Sequence, residues 1–250
     1  MTIRLSVSGA VALFLFACAQ PSADAGLETV LKAHTDARGG AAAIENINSI
    51  QLEMTVVEPE FTVTGAYVAT RDGWMRVDIF ADGARVFTEA LGPDGGWQMF
   101  GDATVTDLSP DGAQKLARGV ASNLYGLHEL GAHGYSLTLV GSATRNDNAF
   151  WEIEQIAPDG FSKHIFLDKK THLIAREIKT SALHPDLDAT EVRQETFHTD
   201  YRKTAGVMFS ETSKKQNLDS GDIMQTVQIT SRRINEPVDP AQFLRPLSAK

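Results

Sequence analysis

The sequence predicts a mainly β chain whose strands form one large curved antiparallel sheet, a half-open β-barrel with a helical lid (α+β). Three observations predict it. From Ser49 onward, apolar residues recur at every second position, the period of a half-buried strand. Clusters of the Asp-Gly type interrupt that alternation at short intervals, as in a meander of hairpins. One long helical stripe of apolar residues breaks the series midway and must bury its face against the sheet. An antiparallel sheet of about a dozen strands curls, and its concave side is the nearest apolar surface for that helix.

The first element is a leader. "MTIR" carries one positive charge, Arg4, and "LSVSGAVALFLFA" is apolar or small throughout. That order reads as a secretory signal peptide, and the apolar stretch falls short of the ~20 residues needed to cross a bilayer. Cys18 follows, the only cysteine in the chain, so neither an internal disulfide nor a CxxC pair is available. Leu15, Phe16, Ala17 and Cys18 resemble the bacterial lipobox, which implies cleavage before Cys18 and lipidation of it. The alternative is cleavage after "ADA" at Ala25, which discards Cys18. Residues 1–17 are therefore read as a lipoprotein signal peptide, 18–25 as a tether and 26–250 as a single domain. Ala19 and Gln20 follow the cysteine, where the familiar inner-membrane retention signal has Asp. By resemblance to that rule, the expected location is the periplasmic face of the outer membrane of a Gram-negative bacterium.

"LETVLKAHTDARGGAAAIENINSI" reads as two short helices broken at Gly39 and Gly40, with Gly39 as C-cap. "IQLEMTVV", "FTVTGAYVAT", "WMRVDIF", Arg85 to Leu91 and "WQMF" are five strands separated by "RDG", "ADG" and "GPDGG" turns. "SPDGAQKLARGVASNLYGLHEL" is the inserted helix. Ser109 is its N-cap, Pro110 its first residue, Leu116, Val120, Leu124 and Leu127 its apolar stripe, and Gly131 its end. Strands resume as "YSLTLVG", "AFWEIEQIA", "FSKHIFLD", "HLIAREIKT", "VRQETFHTDYRK", "VMFSETSKK" and "IMQTVQITSRRI", with a longer loop at residues 181–189 and a short irregular close.

A net charge of −9 without a basic stripe speaks against nucleic-acid binding, which rests on clustered Lys and Arg. The doublets in "SKK" (213–215) and "SRR" (231–233) read as solvated strand positions. "HELGAH" (128–133) resembles the zinc-protease H-E-x-x-H, but its histidines are five apart and fall on different helical faces, with Gly131 between them. The remaining histidines show no ligand spacing. No G-x-S-x-G elbow, P-loop or dinucleotide glycine pattern occurs. No enzyme, metal or cofactor is expected. Glu152 and Glu154 share one strand face, read as the solvent side.

Several stretches in order resemble the LolA/LolB-like superfamily of bacterial envelope proteins, the outer-membrane lipoprotein-sorting-like group. They are "HTDARGGAAAIENINSIQLEM", "GPDGGWQM", "IFLDKKTHLIAREIKT", "DYRKTAGVMFSE" and "INEPVDPAQFLRP". The resemblance implies a half-open barrel with a helical lid and an apolar cavity. The expected function is binding of a lipid or lipoprotein acyl chain, in lipid or lipoprotein trafficking, with membrane attachment through the anchor. By alternation, the cavity is expected to be lined by Leu52, Met54, Phe61, Val63, Tyr67, Met75, Val77, Ile79, Trp97 and Met99 and closed by Leu116, Val120, Leu124 and Leu127. Two alternatives stay open: a non-catalytic module with a filled core that docks an envelope protein partner, and a metal-dependent hydrolase.

Overall fold

In the computed structural model, which describes residues 26–101 and 104–246, the chain enters through helices α1 (Leu27–Arg38) and α2 (Ala41–Glu45). Gly39 caps α1 as expected. Its φ of 122° suits glycine, and a side chain there would strike the Gly206 carbonyl. Five strands follow: β1 (Ser49–Glu58), β2 (Phe61–Thr70), β3 (Met75–Ala81), β4 (Ala84–Gly92) and β5 (Gly95–Phe100). Each contains or closely overlaps a segment of predicted alternation. A sixth, β6 (Thr106–Asp107), is too short to show any period.

The inserted helix is α3 (Pro110–Leu124), and Ser109 Oγ accepts the Gly112 N–H at 3.0 Å as its N-cap. The second series comprises β7 (Ser136–Arg145), β8 (Asn148–Ile156), β9 (Ser162–Asp168), β10 (Ile174–His184), β11 (Asp188–Thr204), β12 (Val207–Asn217) and β13 (Ile223–Ile234).

Two boundaries differ from expectation. α3 ends at Leu124 rather than Gly131, because Tyr125 turns extended (ψ 149°) and the Leu124 carbonyl is taken by the Arg71 guanidinium at 3.1 Å. "LGAH" then forms a separate 3₁₀ turn, Leu130–His133. The loop expected at residues 181–189 is mostly strand, since β10 and β11 continue into a hairpin in which His184 pairs with Asp188.

The described strands lie in one 13-stranded antiparallel sheet, ordered β6-β5-β4-β3-β2-β1-β13-β12-β11-β10-β9-β8-β7. Every neighbour is adjacent in the chain except the β1–β13 pair. Two meanders therefore meet at the middle of the sheet, linked by the α3 crossover. β6 and β7 are its two edges and do not pair, so the barrel stays open. Register shifts at Glu53/Met54, Ile79/Phe80, Leu139/Gly141 and Lys215/Gln216 bend the strands.

α1, α2 and α3 pack on one sheet face. α2 and α3 bury Ile44, Leu116, Val120 and Leu124 against Ile50, Leu52, Tyr67, Met75 and Phe209. Val30 of α1 and Ala121 of α3 meet Ile153, Ile165 and Leu167 on the other half of the same face. α3 thus bridges the two meanders. The opposite face holds Trp97 and Met99 at one end and Phe150, Phe166 and Ile178 at the other.

Candidate functional site

α3 does not fill the concavity. A cavity of about 400 Å³ remains beside it over the first meander, within the ~300–1,000 Å³ usual for a ligand site. Leu52, Met54, Tyr67, Met75, Val77 and Leu116 line it, with Val227 and Ile229 of β13. Burial pushes the Tyr67 phenol up, and its oxygen accepts the Asn123 amide at 3.0 Å. Glu89 lies at the same cavity, and burial raises its carboxyl.

The other residues expected at the cavity fall in different places. Ile79 stands on the same face as Met54, the two side chains meeting over Gly65, where a Cβ would lie 3.1 Å from Met54 and 3.3 Å from Ile79. Val63 pairs with Val56 nearer the strand ends, and Phe61 begins β2 at 47% exposure. Val120 and Leu124 are sealed in the core beneath the helix. Leu127 lies beyond the helix end and packs on the second meander with Leu130, Ile153 and Ile165.

Trp97 and Met99 differ from the expectation, for they occupy the opposite face. Strand register sets Trp97 against Ala90 and Gln98 against Glu89, so Gln98 takes the concave side. Trp97 Nε1 instead donates to the Phe243 carbonyl at 3.0 Å, beneath the 3₁₀ turn Pro240–Phe243 that covers this part of the outer face. Cys18 and the rest of the predicted leader and tether lie outside the described residues. Among the described residues, no helix is long and apolar enough to cross a membrane.

The second half of the concavity is a neighbouring cavity of about 430 Å³, and its lining is polar. Lys115, Gly119, Asn123 and Ser213 border both chambers. Among the described residues, Lys115, Arg118, Lys163, Lys179 and Lys215 line the polar one with a single carboxylate, Glu177. Burial opposes ionisation of Glu177, yet the Lys163 ammonium at 2.6 Å and His198 at 3.7 Å hold its carboxyl well below the usual range. Burial, together with neighbouring cations, brings Lys179 down to about 8 and Lys215 to about 7.

Sequence reasoning missed this half. Lys215 belongs to "SKK", read above as solvated, and Arg232 to "SRR". Lys215 lines the polar chamber, and Arg232 is buried against Phe209 and paired with Glu211 at 3.2 Å. One signal was available: Lys163, Glu177, Lys179 and Lys215 all stand on the strand faces that carry Ile153 and Ile165. The "HELGAH" residues serve packing. His128 Nδ1 meets Thr35 Oγ1 at 3.2 Å, His133 stacks on Tyr125, and Glu129 pairs with Arg71 at 2.8 Å. Among the described residues, no group of three or more His, Cys, Asp or Glu side chains is placed to hold a metal.

No family model and no curated protein matches the sequence. Solved structures do match in fold. A DUF1329 family protein from Desulfovibrio piger superposes with a TM-score of 0.58 at 11% identity, over 87% of this chain and 96% of that one. A LolA superfamily protein from Nitrosomonas europaea gives 0.58 at 10% identity, over 87% and 97%. An outer membrane lipoprotein-sorting protein domain from Vibrio parahaemolyticus gives 0.57 at 13%, over 85% and 95%. The fold of this chain is LolA/LolB-like.

Proposed function

Starting from the LolA/LolB-like fold, we propose that this protein is a non-catalytic envelope lipoprotein that binds a hydrophobic ligand, a lipid or a lipoprotein acyl chain, in its concave cavity. One observation carries the reading: about 400 Å³ of open space remains beside α3, floored by Leu52, Met54, Met75 and Val77. Binding needs no chemistry. Each methylene moved from water into such a site contributes ~0.8 kcal/mol. The neighbour whose own description concerns lipoprotein sorting fits this use of the fold. Lipidation of Cys18, after removal of residues 1–17, would hold the carrier on the periplasmic face of the outer membrane.

Native mass spectrometry of the full mature protein tests the proposal. A co-purified lipid, or saturable uptake of a fluorescent fatty acid, is the expected result. A wild-type protein that carries no lipid and takes up none favours the docking module instead.

A further inference from the structure

We propose that the bound ligand is an anionic amphiphile, whose tail occupies the apolar chamber while Lys179 and Lys215 hold its acidic head in the polar one. This deepens the carrier reading and rests on it.

The charge inventory of the polar chamber carries the proposal. Of the five cations described there, Lys163 is paired with Glu177, Arg118 with Asp159, and Lys115 donates to the Leu183 carbonyl. No carboxylate among the described residues lies within 4 Å of the ammonium groups of Lys179 or Lys215. Among the described residues, Lys215 donates to the Gln225 amide oxygen alone, at 3.2 Å. Lys179 makes no hydrogen bond among the described residues. Strand register places them close together. Lys179 pairs with Lys163 across β9 and β10, and Lys215 stands opposite Thr196, itself opposite Glu177, two residues from Lys179. The net charge of the chain is −9, so this basic interior is not a by-product of composition. Both lysines are half-buried, and desolvating cations that lack a close carboxylate costs stability. Desolvation lowers the pKa of both lysines even though Glu177 acts on each in the opposite sense, and an anion between them offsets that cost.

The two chambers communicate. Gly119 sits mid-helix in α3 and borders both, and nothing lies within 4 Å of the position its Cβ would take. That open space, with Lys115, Asn123 and Ser213 shared by both chambers, lets one molecule span both.

The test compares two fluorescent ligands with the same sixteen-carbon chain and fluorophore, one ending in a carboxylate and one in an alcohol, on the full mature protein. Wild type should bind the acid at least tenfold tighter. K179M/K215M should lose that preference and keep its affinity for the alcohol, while K179R/K215R keeps the preference. Melting curves check folding, and the methionine variant should be no less stable than wild type. Displacement by palmitate or by phosphatidic acid supports the proposal and names the head group, carboxylate or phosphate. Equal binding of acid and alcohol by wild type overturns it and leaves the carrier reading standing. So does a preference that survives in K179M/K215M. Displacement by inorganic phosphate but by neither lipid overturns the amphiphile and leaves a small-anion site. Binding of neither fluorescent ligand overturns the carrier reading and this inference together.

Discussion

Arg71→Met should release the far end of the lid. One guanidinium closes two helix ends: it donates to the carbonyls of Ile44 at 2.8 Å and Leu124 at 3.1 Å, and also to that of Ile47. Its Nη1 pairs with Glu129 Oε1 at 2.8 Å, and Glu129 Oε2 accepts the Gly126 N–H at 2.7 Å. Methionine keeps the stem beside Tyr125 and removes every donor. A hydrogen bond to a charged group contributes about 1.5–3 kcal/mol net, and breaking a buried pair costs about 3–5 kcal/mol. The two side chains keep 21% and 13% exposure, so the lower end applies, about 3 kcal/mol. For a domain of this size that lowers Tm by about 6–12 °C. Urea unfolding and thermal melting of R71M, E129Q and the double variant measure it. The double variant should lose clearly less than the sum of the singles, because the pair is one unit. A loss in R71M below about 1 kcal/mol, or strict additivity, would refute this reasoning.

Other outcomes follow from the same structure. Val77→Asp should abolish fatty-acid uptake while lowering Tm only modestly, since water in the cavity can solvate the carboxylate; global unfolding of the variant would show a filled core at that position. Cys18→Ser should move the protein from the membrane to the soluble fraction and abolish palmitate labelling; retention on membranes would count against the anchor. His34 is buried, with Nδ1 donating to the His172 carbonyl at 2.7 Å, and burial lowers its pKa to about 4 from the 6.5 of the unfolded chain. The unfolded state therefore binds more protons between those values. The stability His34 contributes is complete above pH 6.5 and is lost as pH falls towards 4, by about 3 kcal/mol. His34→Gln should flatten that part of the urea-midpoint profile, and an unchanged profile would remove His34 as the cause.

The alternation in "IQLEMTVV" and "FTVTGAYVAT" was enough to place β1 and β2, because a strand with one buried face must repeat every two residues. Ser109 and Pro110 marked the start of α3 for an equally local reason, since the first turn of a helix needs an acceptor and can spare an N–H. The end of α3 could not be read in this way. It depends on Arg71, 53 residues away from Leu124, and nothing around Leu124 signals that partner.

Trp97 shows the limit of alternation most clearly. The pattern in "WQMF" says that one face of β5 is buried, but not what buries it, and the cover is Phe243 rather than the concavity. Lys179 and Lys215 show the converse. In sequence they are charged residues on alternating strands, which is how a solvated face looks. Solvation depends on what lies across the strand, and the curl of the sheet with α3 over it encloses both in a chamber. By itself, then, the sequence determined the order of strands, their turns and the amphipathic lid, all set by contacts within a few residues. The β1–β13 join, the open edges and the sign of charge inside the concavity arise from pairings across the whole chain. Only the folded sheet decides them, because a strand's period specifies that a face is covered and leaves open which surface covers it.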